Sequence, residues 1–214
     1  MSDILKEIAD KLDSCDAQSI SGVTGDVKEA IAQGLTPGEI LENGLLAGLS
    51  RVGVKFKADE IFIPEVLISA RALHESMDIL RPLMTQGDIK HRGKIVLGTV
   101  KGDLHDIGKN LVGIMLEGAG LDIIDLGTNV PSDKFVEAAR ENDPEIVGLS
   151  ALLTTTMIEM KRVIGAFKSA GLNTRIIIGG APITKEFADE IGADAYGQNA
   201  GDAVEKVAEL LAAD

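Results

Sequence analysis

The stretch GTVKGDLHDIGKN, residues 98–110, holds one of the three histidines in a chain of 214 residues. His105 follows an apolar run and stands between Asp103 and Asp106, with glycines at 102 and 108. In a turn, a carboxylate two residues before an imidazole can accept its Nδ1–H and leave Nε2 free for a metal. Few other donors accompany it. His74 falls in a helical stretch, His91 in a polar linker, and Cys15 is the sole cysteine. A zinc centre takes roughly three or four protein ligands, so a bare ion is a poor match. A metal held in a macrocycle brings most of its own ligands and needs only one from the protein. The plainer alternative is a surface-loop histidine, or one that caps a helix.

The elements that must position this residue change rhythm along the chain. Up to about residue 85 the period is helical. Ile4, Leu5, Ile8 and Leu12, within residues 2–13, predict a first helix that is expected to include Cys15, and a second helix is expected from about Ser19 to Gln33, ending at Gly34. Thr36, Pro37 and Glu39 form a capping box with proline at the first helical position. The helix they start carries Ile40, Leu41, Leu45, Leu49 and Val52, and a fourth starts at FIPEVLISARALHESM. Residues 1–88 therefore read as a four-helix bundle.

From residue 92 the runs KIVLGTV, LDIIDLG, EIVGLSAL, TRIIIGG and ADAYG are short and largely β-branched, and each precedes a helical stretch. Five β/α units imply an α/β fold with a parallel sheet covered on both faces. The polar segment TQGDIKHRG, residues 85–93, divides the two parts and is expected to act as a hinge.

Open α/β sheets bind ligands outside the carboxyl ends of their strands. Those ends read Lys101-Gly102-Asp103-Leu104-His105, then Gly127-Thr128-Asn129, then Ser150-Ala151-Leu152 with Thr154, Thr155 and Thr156, then Gly179-Gly180. Glycines there permit close backbone approach, though the Gly179-Gly180 pair also suits a plain strand-to-helix turn. Familiar phosphate motifs fail. Five residues separate Gly102 from Gly108-Lys109 where a P-loop has four, Asn110 replaces the magnesium-binding hydroxyl, and no G-x-G-x-x-G follows the first strand. Ser150 stands where a phosphate-accepting receiver would carry aspartate.

A net charge of −13 argues against nucleic acid. The aromatic content of 3% makes the core aliphatic. A lone cysteine rules out an intrachain disulfide. The acidic, amphipathic start is not a signal peptide, and no apolar run approaches the roughly 20 residues that span a bilayer. The expected compartment is the cytoplasm, with no membrane partner.

Asp103-x-His105-x-x-Gly108, Ser150-x-Leu152 and Gly179-Gly180, in this order on β/α units, resemble the cobalamin-binding domain of methionine synthase. The match is closer to the small corrinoid proteins of methylamine- and methanol-type methyltransferase systems in one-carbon metabolism, and it extends to the helical half. FKADEIFIPEVLISARALHESM is similar to the family's cap segment. The resemblance implies a helical cap, residues 1–88, and a flavodoxin- or Rossmann-like cobalamin-binding domain, residues 92–214.

It further implies cobalamin or a related corrinoid bound base-off, with His105 as the lower ligand of cobalt and Asp103 hydrogen-bonded to that imidazole. Thr156 stands where methionine synthase completes the relay with serine. The displaced tail would pass Gly108, Ser150, Leu152, Thr154, Gly179 and Gly180, Gly102 and Asp106 would also bind the cofactor, and Phe56, Ile63 and Val66 would shield the upper face. By spacing alone, Ile63 and Val66 read as ordinary core, and their role at the cofactor rests on the resemblance.

The implied activity is that of a methyl carrier, a corrinoid subunit rather than a stand-alone enzyme. Cobalt would cycle between cob(I)alamin and methylcobalamin. A substrate-specific methyltransferase would load it, and a second would unload it to tetrahydrofolate or coenzyme M. A separate reductive activase would restore it. Methylated or quaternary amines are favoured among donors that include methanol and aryl methyl ethers. The rivals are a cobalamin-dependent sensor, for which no basic helix-turn-helix is present, and a cofactor-free α/β interaction domain.

Overall fold

Helix α1, Asp3–Asp13, forms because Ile4, Leu5, Ile8, Ala9 and Leu12 fall on one stripe, and all are buried. Cys15 lies outside it, contrary to expectation. Its φ of 55° puts it in the left-handed region just past the helix end. A computed structural model describes residues 2–84 and 92–213 of the chain, so residues 85–91 of the expected hinge lie outside the described residues. Contacts divide the chain into two compact units, and Arg92 opens the second.

Four helical runs make up the first unit. The second run is not the single helix expected. Asp16 accepts the Ser19 N–H at 2.8 Å and caps the short helix α2, Ala17–Ile20. Ser21 and Gly22 break it, and α3, Val23–Ala32, begins afresh. Gly34, at φ 86°, closes α3 with Leu35 N–H returning to Ala30 O at 3.1 Å, a Schellman ending. The Thr36–Glu39 capping box starts α4, Pro37–Ile40, as expected. A π-helical segment, Leu41–Leu46, then leads without interruption into α5, Ala47–Lys57. Leu41, Leu45 and Leu49 recur at every fourth position, which suits the wider turn. Here the run lies tight on α1: a Cβ at Gly48 would come within 2.8 Å of Ala9 O. Helix α6, Ile63–Leu80, starts with Pro64 in its first turn and with Glu65 Oε2 accepting the Phe62 N–H at 2.6 Å. Among the described residues no helix is long and apolar enough to cross a membrane.

The second unit is an α/β domain. Strands β1 (Lys94–Thr99), β2 (Asp122–Asp125), β3 (Ile146–Ser150), β4 (Arg175–Gly179) and β5 (Ala195–Gly197) form one sheet in the order β2-β1-β3-β4-β5. Every pairing is parallel. Helices α7 (Ile107–Gly118), α8 (Ser132–Asn142), α9 (Ile158–Ala170), α10 (Lys185–Ile191) and α11 (Ala200–Ala212) connect and follow the strands.

The pleat of β1 shows how both faces fill. Val96 joins Phe135, Met160, Phe167 and Ile178 in the core beneath α8, α9 and α10, and a Cβ at Gly98 would strike the Phe135 ring at 2.6 Å. Leu97 faces the other way, toward Gly113 of α7. Each fully buried Ile, Leu or Phe contributes about 1.5–3 kcal/mol, and that aliphatic core fixes the strand ends. The order is that of flavodoxin-type sheets, whose ligands sit where the chain reverses direction between β1 and β3. The register sets Thr99 beside Ser150 and Ser150 beside Gly179 at that carboxyl edge.

Candidate corrinoid site

The loop after β1 is shaped by its glycine. Asp103 N–H bonds to Val100 O at 3.1 Å across a four-residue turn, and Gly102 sits at the third position with φ 83°. A type II turn requires that left-handed residue. Gly102 is thus explained by the turn, whatever else approaches it. The turn sends Asp103 inward, fully buried, and leaves Leu104 largely exposed at 72%.

Asp103 gathers the site. Its Oδ1 accepts His105 N–H at 3.1 Å and His105 Nδ1 at 2.7 Å, and its Oδ2 accepts Thr156 Oγ1 at 2.6 Å, Leu152 N–H at 2.8 Å and Leu153 N–H at 3.3 Å. Burial pushes the Asp103 carboxyl up. The hydrogen bonds from Thr156, Leu152 and His105 outweigh it and hold the group well below the usual carboxylate range. An ionised carboxylate only accepts, so Nδ1 of His105 carries a proton, and in the neutral form of the ring the lone pair is on Nε2. The imidazole is half exposed, and Nε2 has no partner among the described residues. Among those residues no group of three or more His, Cys, Asp and Glu is placed to hold a bare ion.

Thr156 is buried and its hydroxyl faces two acceptors, Asp103 Oδ2 and Leu153 O at 3.0 Å. The shorter, charge-assisted bond takes the single proton. Ser150, at the end of β3, is half-buried, and its hydroxyl has no partner among the described residues. Thr154 and Asp106 are exposed. Asp106 contributes its carbonyl, which accepts Asn110 N–H at 2.8 Å as α7 begins.

The glycines divide into two kinds. Among the described residues, a Cβ at Gly108 would meet nothing within 4 Å. A Cβ at Gly180, φ 131°, would lie 1.9 Å from Ala151 O, and one at Gly179 would lie 3.0 Å from Gly197 O. Gly179 and Gly180 are therefore spent on the fold, whereas the space over Gly108 is open to a ligand. Gly108→Ala should leave the cofactor-free protein as stable as the parent or up to about 0.5–1 kcal/mol more so, yet weaken corrinoid loading. Denaturation and a binding titration would check the two halves separately.

Beside Leu152, already expected, the structure adds residues that the sequence did not single out. Leu104, Ile107, Leu152, Leu153 and Ile158 are all at least two-fifths exposed, an aliphatic fringe on the segments that carry His105 and Thr156. Leu104 and Ile107 occupy variable places of the quoted motif, where sequence alone assigns no role. In the helical unit, Phe56 is half-buried and Ile63 is 39% exposed, but Val66 is fully buried in that unit's core. The exposed apolar residues there include Val54, Phe62 and Leu67, none of them expected.

These features suit a large, mainly apolar disc with a metal at its centre and a polar tail: one unshared imidazole nitrogen, an aliphatic fringe, a free hydroxyl at the sheet edge and open space above Gly108. Comparison with known proteins agrees. A family model described as a B12 binding domain matches residues 93–207, and a second with the same description matches residues 5–81. The chain belongs to the B12-binding family.

This corrinoid protein is 42% identical over 213 residues to dimethylamine corrinoid protein 1 of Methanosarcina acetivorans, covering 98% of each chain. It is 42% identical over 188 residues to trimethylamine corrinoid protein 1 of the same organism, covering 86% of this chain and 87% of that one. The crystal structure of the methanol:cobalamin methyltransferase complex from Methanosarcina barkeri matches it with a TM-score of 0.90 at 27% identity, over 100% of this chain and 81% of the other. His105, Asp103 and Thr156 thus stand together in a B12-binding domain, as the motif order implied.

Proposed function

We propose that this corrinoid protein is a cytoplasmic methyl carrier that binds its cofactor base-off, with His105 Nε2 as the lower axial ligand. The observation that carries the reading is the ionised, fully buried Asp103, which holds the Nδ1 proton of a half-exposed imidazole and leaves Nε2 unshared. Outer partners of this kind orient a ligating imidazole and raise its basicity.

The bound corrinoid supplies a cobalt that takes up and gives up a methyl group. The chain's residues do the rest. Thr156, Leu152 and Leu153 fix the carboxylate, and the carboxylate fixes the ring. Leu104, Ile107, Leu152, Leu153 and Ile158 offer an aliphatic seat that excludes water. Ser150 Oγ and the space at Gly108 receive the displaced tail, with Thr154 and Asp106 alongside and Gly102, Gly179 and Gly180 shaping the backbone. Phe56 and Ile63 act at the methyl-bearing face, whereas Val66 is fully buried in the helical unit.

The donor is a methylated amine, supported by the dimethylamine and trimethylamine relatives. A substrate-specific methyltransferase loads the protein, and a second unloads it to tetrahydrofolate or coenzyme M. A separate reductive activase rescues oxidised cobalt. The test uses dimethylamine and trimethylamine with labelled methyl groups, a methyltransferase specific for each, and reduced cobalamin-loaded protein. Label should co-purify with this chain only when cobalamin and one of those enzymes are present. Equal labelling of cobalamin-free protein, or none from either amine, would defeat the proposal.

A further inference from the structure

The carboxylate relay accounts for the orientation of the His105 ring but not for the position of the loop that carries it. That loop is exposed from Leu104 to Gly108, and a half-exposed ring on a loose loop would wander from the metal. Three hydrogen bonds outside the relay, made by two residues, pin it. Thr99, the last residue of β1 and fully buried, donates its hydroxyl to the carbonyl of His105 itself at 2.9 Å. Asn129, after β2, accepts Gly102 N–H on its Oδ1 at 2.8 Å and donates its own N–H to Asp103 O at 2.9 Å. It does so from the left-handed region, φ 56°, which asparagine tolerates better than most residues.

Asn129 is itself tied to the sheet. Its neighbours pair with β1, Thr99 N–H to Gly127 O at 2.9 Å and Val130 N–H to Thr99 O at 2.9 Å. Thr99 and Asn129 therefore grip the loop from its two sides, and both are rooted at the β1–β2 edge. We infer that Thr99 and Asn129 are positioning residues that hold His105 at the height and lateral place where its Nε2 can ligate a corrinoid metal. The inference rests on the carrier reading above and adds residues to it. It predicts a preorganised ligand loop in the protein before any cofactor binds.

The variants separate side chain from backbone. Thr99→Val keeps the volume and removes the donor, and Thr99→Ser restores it. Asn129→Gly keeps the left-handed backbone and the Asp103 O bond but removes the Oδ1 acceptor, and Asn129→Asp restores it. The protein, its histidine labelled in the heavy nitrogen isotope, is loaded with cobalamin, reduced by one electron and examined by electron paramagnetic resonance for the doublet splitting that an axial protein nitrogen gives. The ratio of ligated to unligated cobalt should fall at least about tenfold in Thr99→Val and in Asn129→Gly, as on loss of an outer partner of a metal-bound imidazole, and should recover in the Ser and Asp variants. Amide exchange in the cofactor-free protein should quicken from Gly102 to His105 while β1 and β3 stay as protected as in the parent.

Parent-like ligation in Thr99→Val and Asn129→Gly overturns the inference. So does failure of the Ser and Asp variants to recover, because the hydroxyl and the acceptor would then not be what matters. A parent that shows no protein-nitrogen splitting defeats the carrier reading instead, and amide exchange then still decides whether Thr99 and Asn129 hold the loop.

Discussion

Asp103→Asn should leave the protein folded while moving the ring proton of His105 from Nδ1 to Nε2. The side chain keeps its shape but exchanges one acceptor oxygen for an NH2 group. Oδ1 now meets two donors from His105, and Oδ2 meets Thr156, Leu152 and Leu153. Whichever way the amide turns, donors confront donors. The least costly answer places NH2 toward His105 and lets Nδ1 accept, which puts the ring proton on Nε2. That tautomer has no lone pair to give a metal. Ligation should weaken by about 10–100-fold, seen as loss of axial nitrogen splitting in the cobalamin-loaded variant.

Stability should fall by about 1–3 kcal/mol, the cost of a buried donor left unmatched. The gap also depends on pH. The Asp103 carboxyl is lowered in the folded chain, so its contribution is whole above the ordinary value of about 3.9 and drains away as pH falls through the folded value. Parent and variant should therefore converge in acid. A variant with undiminished ligation would show that the Asp103–His105 hydrogen bond does not set the tautomer.

Gly180→Ala should be the most destructive change at the sheet edge. The new Cβ would lie 1.9 Å from Ala151 O and 2.9 Å from its carbonyl carbon, at a φ of 131° that L residues rarely adopt. Backbone stands in the way, so no side chain can swing aside. The chain must push β4 from the end of β3, where Ser150, Leu152 and Leu153 follow one another. A loss above about 4 kcal/mol is expected, set against total stabilities of about 5–15 kcal/mol. Urea denaturation of the full chain measures it. Stability within about 1 kcal/mol of the parent would contradict the crowding. Gly108→Ala is the counterpart, a glycine in open space whose replacement should touch loading and not folding.

The contrast between those glycines shows what a sequence can and cannot say. Both lie in quoted motifs, and both read as places of close approach. Only the three-dimensional neighbours reveal that Gly180 is approached by the chain's own Ala151, and that among the described residues nothing lies within 4 Å of a Cβ placed at Gly108. The sheet itself was legible, because β-branched runs such as IVL at 95–97 and III at 176–178 are buried between two helical layers and alternate with helical stretches. The capping box at Thr36 was legible because its chemistry is local.

Where contacts are remote, legibility fails. The Asp103–His105 bond spans two residues and was expected from spacing, whereas Thr156 reaches Asp103 across 53 positions and was expected only through resemblance. The Leu153, Thr99 and Asn129 contacts passed unnoticed because backbone donors and turn carbonyls leave no signature in residue type. The break between α2 and α3 and the π turn at Leu41–Leu46 were missed for a related reason. Periodicity averages over a window and does not register one irregular turn. Val66 looked like a partner of Ile63 on one face, yet the structure buries the first and exposes the second.

The claim that His105 reaches the metal is best tested by isotope substitution. The full-length protein, grown with histidine labelled in the heavy nitrogen isotope, would be loaded with cobalamin and reduced by one electron. Ligation by His105 predicts that the triplet splitting of each cobalt line, seen with ordinary histidine, becomes a doublet with the labelled histidine, and that the doublet is lost in His105→Gly. A triplet unchanged by the labelled histidine would mean that the cofactor's own base still holds the cobalt, and the account built on Asp103 and His105 would be wrong.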